Sequence, residues 1–366
     1  MSPEVLERRA REIALGDLDL DSVNLAFDEL LRRAVPFAVA AWSTHDPATG
    51  LFTSCTISGM PKDVEREAQL FRWEFRDGEP NAYRDLIAEA RTVAVLSATT
   101  GGALERAARF RELLAAYGCT DELRAVLWAD GQAWGSATLY SAEGRFTERD
   151  AALVAALAPH AGHGLRLALL RAAATQPEAT ADPPGILTVT AHGAIRALTA
   201  SARHWLDVGG PALVTAASAV AAAVRGHQDW PGASSRLALP GSPLIALHAA
   251  RTTGETGEVA VIVDVALSAE VAALLVDAYG LTPRQRQVLG LLLLGRSLTQ
   301  IARELGISQH TANDHRKAIY ARVGVRSRSE LAGRLQTEHY DPRTHAGLTP
   351  SPYGGFLEPR TAVTAS

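Results

Sequence analysis

Apolar residues recur at helical spacing in four short runs between residues 281 and 336, and each run is bracketed by residues that start or stop helices. Thr282, Pro283 and Gln285 open the first as a capping box, the apolar run Val288 to Leu294 follows, and Gly295 ends it. Ser297 and Gln300 repeat the device for a second helix with the stripe Leu298, Ile301, Ala302 and Leu305. Gly306 and Ile307 turn the chain, and Ser308 with Thr311 opens a third. That third run sorts into two faces: Ala312, His315, Ile319 and Val323 at core spacing, and His310, Asn313, Asp314, Lys317 and Ala321 opposite. Gly324 stops it, and Ser327 to Gln336 forms a fourth helix with Leu331 and Leu335 apolar. Two helices joined by a short Gly-containing turn are a helix-turn-helix.

Upstream, short helical and alternating stretches interleave, with no visible internal repeat. Leu18 to Ala34 has helical periodicity; Phe37 to Thr44 and Leu51 to Ile57 read as strands around the turn His45-Asp46-Pro47. Leu123 to Trp128 and Ala133 to Tyr140 form a second hairpin around Ala129-Asp130-Gly131, followed by a long apolar helix from Thr147-Glu148. Thr175 to Pro184 is polar and contains proline, as linkers do. Beyond it come a strand, the turn Ala191-His192-Gly193, a second strand and a short helix, then strands over Arg236 to Ala250 and Gly257 to Val265. Ser268 to Tyr279 is an amphipathic helix. The last 30 residues, 337–366, are rich in proline and glycine and are expected to be disordered.

Charge sharpens this division. The chain carries −4 overall, yet residues 281–336 hold ten Arg or Lys against three acids, a net +7 that leaves −11 on the rest. A basic module on an acidic body is the electrostatic footprint of a nucleic-acid-binding domain tethered to something else. Arg296, Arg303, Arg316, Arg322 and Arg326 are the expected displacers of counterions. The N-terminus lacks an apolar signal region, and the longest uncharged run, Val208 to Val224, is Ala-rich and broken by glycine and proline, so no membrane span is expected and the chain reads as cytoplasmic. Cys55 and Cys119 lack the spacing of a metal site or disulfide framework and read as reduced thiols.

Candidate chemistry is sparse. His45-Asp46 sits in a turn with no further ligand at metal spacing. His160 and His163 flank a helix break expected at Pro159 and Gly162. Cys55 has no neighbour to lower its pKa. Trp42, Trp128, Trp134 and Tyr140, with Cys55, are candidates to line a ligand pocket, although strand aromatics are more often core. No Gly-rich phosphate loop is present, and Lys62 and Lys317 are the only lysines, which excludes ATPase-driven and phosphoacceptor designs. No catalytic residue, metal or cofactor is expected.

The stretch LTPRQRQVLGLLLLGRSLTQIARELGISQHTANDHRKAIYARVGVRSRSELAGRL resembles the LuxR-type helix-turn-helix of bacterial transcription regulators along its length. That resemblance implies a third helix in the major groove and a fourth that pairs two protomers through Leu331 and Leu335. It places Thr299, Gln300 and Thr311 on phosphates and Asn313, Asp314 and Lys317 toward bases, with His310 and Arg316 on the same helix. The family usually has Lys or Arg at the position of Asn313, and commonly Glu at those of Gln285 and Gln287, so target preferences do not transfer. The hairpin-then-helix segment from Leu123 resembles the close of a GAF domain, and the segment after Pro184 the start of a PAS-like domain. The expected chain is therefore an α+β multidomain protein: a GAF-like sensor over 1–174, a linker over 175–184, a PAS-like domain over 185–267, a linker helix over 268–280, an all-α four-helix LuxR-type domain over 281–336, and a tail.

The function implied is a non-enzymatic, one-component regulator: a homodimer on partly palindromic double-stranded DNA, controlled by an unidentified small molecule, with RNA polymerase a candidate partner. Two alternatives stay open, a haem- or redox-sensing upstream half and one that only dimerises. Asp314 poses its own question, since a carboxylate near phosphate is repelled. It is expected either to hold Lys317 through an i, i+3 pair or to accept a hydrogen bond from a cytosine amino group.

Overall fold

The computed structural model describes residues 2–174, 183–191, 193–227, 231–239, 241–252, 257–266, 268–337, 349–350 and 356–357. They divide into two units, one of residues 1–175 with 182–265 and one centred on residues 266–366. The expected linker and the turn residue His192 fall largely or wholly outside the described residues.

The first unit opens with helices α1 (Pro3–Leu15) and α2 (Leu20–Arg32), then strands β1 (Val39–His45) and β2 (Phe52–Ser58). Helices α3 (Val64–Glu74) and α4 (Tyr83–Ala88), strand β3 (Val93–Val95) and the short helices α5 (Leu96–Thr99) and α6 (Ala108–Glu112) lead to the hairpin of β4 (Asp121–Ala129) and β5 (Gln132–Ser141) and to α7 (Glu148–Ala174). The five strands form one antiparallel sheet in the order β2-β1-β5-β4-β3. Helix α7 packs along this sheet, with α1 and α2 laid against it. It runs unbroken through Pro159, against expectation, and Gly162 lets it approach the sheet closely: a Cβ there would lie 2.5 Å from the Trp128 carbonyl oxygen. Pro159 and Gly162 read as a break in the sequence, and Gly162 serves as a close-packing notch in the fold.

A second sheet follows within the same unit. Strands β6 (Gly185–Val189) and β7 (Ile195–Leu198), helix α8 (Ala200–Gly226), and strands β8 (Ala233–Leu237), β9 (Ile245–Arg251) and β10 (Val259–Val265) assemble in the order β7-β6-β10-β9-β8. Numbered within each sheet, both orders are 2-1-5-4-3, a duplication of topology that the sequence did not reveal. Two expectations change here. The stretch Arg236 to Ala250 is two strands with a turn between them, and the expected short helix runs 27 residues with a kink at Gly210, whose φ is +50°, followed by Pro211.

Helix α8 explains the long uncharged run. One side covers the second sheet and the other meets β2 and α3 of the first. Leu213, Ala216, Ala219, Val220 and Ala223 are therefore fully buried among residues from both sheets, in one continuous core with Phe52, Phe71, Leu187 and Leu247. By length and composition α7 and α8 are both capable of crossing a membrane; here their apolar faces are turned into protein. The two sheets are also tied electrostatically. Asp46, read as a turn residue, is 1% exposed and receives the Arg236 guanidinium at 2.6 and 2.9 Å and the Arg236 backbone N–H at 2.8 Å.

The core of the first unit also holds charge. Arg109 bonds Glu79 at 2.8 Å and Glu122 at 2.9 and 3.1 Å, while Arg124 bonds Glu74 at 2.7 Å, and also Glu122. Burial alone would raise the Glu122 carboxyl, but the guanidiniums of Arg109 and Arg124 outweigh it and hold the group below the usual carboxylate range.

The second unit comprises α9 (Ser268–Ala278), α10 (Pro283–Leu293), α11 (Leu298–Leu305), α12 (Gln309–Val323) and α13 (Arg328–Thr337). Both expected capping boxes form: the Thr282 hydroxyl accepts from the Gln285 N–H and the Thr282 N–H donates to Gln285, and Ser297 pairs with Gln300 in the same way. Leu281, Val288, Leu289, Leu292, Ile301, Ala312, Ile319, Val323 and Leu331 form the core. Leu331 is wholly buried there. Leu331, expected in the dimer stripe, lies in the module's own core, where α13 packs back on α10, and the Leu335 side chain lies outside the described residues. In the tail, the short strands β11 (Thr349–Pro350) and β12 (Phe356–Leu357) pair antiparallel, where no regular structure was expected.

Candidate nucleic-acid interface and cavity

Helix α12 is held at both ends by local geometry. Ser308 caps it, accepting from the Thr311 N–H at 3.0 Å, and Gly324 closes it in the left-handed conformation with its N–H on the Tyr320 carbonyl. Gly306, at φ +63°, ends α11 three residues before α12 begins, which sets the sharp turn between the two helices. Ala312, Ile319 and Val323 face inward as expected, and His315 is half-buried rather than core. The opposite face presents His310, Thr311, Asp314, Lys317 and Ala321 to solvent, with Asn313 and Arg316 half-buried beside them. Thr299 and Gln300 are exposed in the first turn of α11.

The side chains on this face are organised differently from the expectation. Asp314 pairs with His310, one turn earlier: His310 Nδ1 lies 2.9 Å from Asp314 Oδ2, at i, i+4. Lys317 makes no bond among the described residues and extends into solvent. The Arg316 guanidinium donates to the Asn313 side-chain oxygen at 2.8 Å and lies 5.7 Å from the Tyr320 ring centre. Gln300 and Thr311 both take part in caps, Gln300 accepting from the Ser297 N–H at 2.8 Å and the Thr311 hydroxyl lying 2.8 Å from that of Ser308. The Gln300 amide N–H groups remain to donate.

Several arginines of the basic module hold the module itself. Arg284 donates to the Leu305 carbonyl, Arg322 to that of Gly280, and Arg328 to those of Leu292 and Arg296; Arg286 pairs with Asp277 at 2.9 Å. The sequence signal missed was position: arginines near helix ends satisfy terminal carbonyls. Arg303 and Arg326 are exposed, and Arg296 is exposed with Glu304 at 3.9 Å.

In the first unit a mainly apolar cavity of about 100 Å³ lies between the β1–β2 face, α3, and the segment Leu114–Cys119. Of the pocket candidates, Cys55 and Tyr140 line it. Trp42, Trp128 and Trp134 do not: Trp42 is core with its indole N–H on Asp28 at 3.0 Å, Trp134 is core with its N–H on the Ala129 carbonyl at 3.1 Å, and Trp128 borders a separate cleft with His160 and His163. Burial pushes the thiols of both cysteines up to about 12, Cys55 also feeling Glu67, and Cys119 Glu122, so neither is a ready thiolate. Sequence reasoning missed Glu67, which also lines the cavity. Its α3 helix carried no marked pattern. His45 is buried with Nε2 2.9 Å from the Ser136 hydroxyl, and burial lowers its pKa to about 3; the Asp46 carboxylate is bound to Arg236. The doublet is structural. Among the described residues no group of three or more His, Cys, Asp or Glu is placed to hold a metal ion.

Residues 280–334 match the model of the luxR family of bacterial regulatory proteins. Over 51 residues the chain is 45% identical to the transcriptional regulatory protein MctR of Rhizobium johnstonii, an alignment covering 14% of this chain and 24% of MctR, so the chain spans about a quarter of that relative. Among solved structures, a GAF domain/HD domain protein from Geobacter sulfurreducens aligns at 20% identity and a TM-score of 0.31, covering 42% of this chain and 97% of that one. A phycocyanobilin-bound GAF domain from a cyanobacterial phytochrome aligns at 15% identity and a TM-score of 0.33, covering 47% and 97%.

Proposed function

Residues 280–334 are a LuxR-family helix-turn-helix domain, and from that premise we propose that the chain is a transcriptional regulator whose α12 enters the major groove of double-stranded DNA. The single observation that carries this reading is the outward face of α12, where His310, Asp314 and Lys317 stand exposed on a helix braced by its caps and by α11. Thr299, Gln300 and Thr311 are assigned to phosphates at the helix N-termini, where backbone N–H groups favour anions. Asn313, Asp314 and Lys317 are assigned to bases and Arg316 to the backbone, with Arg316 first having to leave Asn313.

The first unit is read as the sensory half. Support comes from its GAF-like arrangement, an antiparallel sheet with a cavity on one face, and from the second sheet sharing its core. A PAS-like role for that second sheet, homodimerisation and contact with RNA polymerase belong to the same reading, and a cytoplasmic location goes with DNA as the target. The raised thiols weigh against the redox alternative.

Selection from a random duplex pool tests the function. The full chain is expected to enrich one partly palindromic sequence, and Lys317→Ala to weaken its retention. Failure to retain any duplex above background at low salt would overturn the reading.

A further inference from the structure

A cleft away from the apolar cavity gathers positive charge with no anion to meet it. It lies where the ends of α3 and α8 come together, has a volume of about 520 Å³, and carries Arg72, Arg76 and Arg225 in its wall. Gly226 permits the junction: a Cβ there would lie 2.5 Å from the Phe75 carbonyl oxygen, so the two segments abut and their arginines converge. Other arginines of this unit rest on carboxylates, Arg32 on Asp28, Arg196 on Glu258 and Arg236 on Asp46. Among the described residues no carboxylate pairs with Arg72, Arg76 or Arg225, and Asp77, the acid of the wall, is taken by Arg84 at 2.7 Å. Arg225 is half-buried, and its inward Nη1 has no hydrogen-bond partner. Arg251 adds a fourth charge beside it while donating to the Val224, Arg225 and His227 carbonyls. Burial, with the charges of Arg251 and Arg72, lowers the Arg225 pKa.

The helix ends account for only part of this charge. Each helix C-terminus carries about half a negative charge, so α3 and α8 together offset about one guanidinium of the four and leave a surplus of about three. We propose that the cleft binds a small multivalent oxyanion, a molecule with two or more carboxylate or phosphate groups, held by Arg72, Arg76 and Arg225. Guanidiniums present paired N–H donors that fit either group. The surplus sets the valence, since a single carboxylate would leave most of it uncompensated. Arg225 makes the strongest contact, because a charge-assisted bond gains strength away from water. Arg72 stands on α3, beside the first sheet, and Arg225 on α8, which covers the second. A bound anion therefore ties the two sheets at a further point, as Asp46 and Arg236 do elsewhere. The site goes beyond DNA binding and does not depend on it.

Calorimetric titration of the full chain at low salt with citrate, inorganic pyrophosphate and acetate tests it. At least one multivalent probe is expected to bind about tenfold or more tightly than acetate, and the preferred one tells a carboxylate ligand from a phosphate. Arg72→Gln and Arg225→Gln should each weaken that probe by about tenfold, the loss of one charge-assisted hydrogen bond. Arg303→Ala, in the helix-turn-helix domain, should leave it unchanged. Arg72 is exposed, so its replacement spares the fold and carries the test even where Arg225→Gln is destabilised. No binding, equal affinity for acetate, affinity unmoved by Arg72→Gln, or a loss confined to Arg303→Ala would overturn the proposal. So would an Arg72→Gln chain that retains less duplex yet binds the probe as before, which assigns the cleft to DNA. Duplex retention by the parent chain keeps the two readings apart: probe binding without duplex binding keeps the cleft and sinks the regulator.

Discussion

The two units handle charge in opposite ways. The first buries it: Glu74, Glu79, Arg109, Glu122 and Arg124 form a closed network in which every side chain is no more than 6% exposed, and Asp46 is likewise sealed against Arg236. The helix-turn-helix domain keeps its acids and bases at the surface and assigns several arginines to helix-end carbonyls. Buried ions stabilise only as complete sets, since removing one member strands the rest in a low dielectric. Surface cations act nearly independently and remain open to a polyanion. The first arrangement suits a body that must keep one shape around a cavity, and the second a face that exchanges partners.

The largest expected effect breaks the contrast in the first unit. Arg109→Met leaves Glu79 without its cation and Glu122 with Arg124 alone, and should cost about 3–5 kcal/mol, seen in thermal scanning as a large fall of the first unit's transition with the helix-turn-helix transition unmoved. A loss under 1 kcal/mol would show the network to be dispensable. Acid acts on the same unit. His45 has a folded pKa of about 3 against 6.5 when exposed, so its neutral form is the one the fold accepts. Its contribution is intact above pH 6.5 and declines as pH falls toward 3, amounting to about 2 kcal/mol lost by pH 5. His45→Asn should flatten stability in that window relative to the parent; an unchanged slope would assign the acid response elsewhere.

How far the sequence could be read follows the same division. Ser297, Gln300, Gly306, Ser308 and Gly324 define helices 280–334 through contacts three to five residues apart, and local contacts leave local signatures. The tie of Asp46 to Arg236 spans 190 positions, Glu67 to Thr215 148, and Arg109 to Glu122 13, and no period or cap announces such pairs. For that reason the cavity was anticipated at Cys55 and Tyr140 but not at Glu67, and three tryptophans assigned to it belong elsewhere. The partner of Asp314 was missed for a simpler reason: His310 and Lys317 are both within one turn, and spacing alone does not choose between them.

Asp314 offers a finer test of the second unit. If it accepts from a base, Asp314→Ala should bind random DNA more tightly and lose ~1–3 kcal/mol of discrimination at one base pair. His310→Ala, which frees the carboxylate, should leave that preference in place. Uniform tightening with unchanged site preference would make Asp314 a bystander. Smaller still is the effect on salt response: Arg303→Ala should reduce the slope of log K against log salt by about 0.9 if Arg303 meets a phosphate. Arg322→Ala should instead lower the stability of the helix-turn-helix domain, because Arg322 is bonded to the Gly280 carbonyl. Equal slope changes in the two variants would erase the distinction between bracing and DNA-facing arginines.

The most direct measurement is the affinity of the intact chain for its selected duplex across a salt series. Arg296, Arg303 and Arg326 are exposed, and these three with Arg316, assigned to the backbone, would give four phosphate contacts and a log–log slope of roughly −3.6 per domain, at about −0.9 per contact. A steep linear fall that becomes shallower as these residues are replaced is the predicted result; affinity that stays flat with salt would contradict DNA recognition by this face.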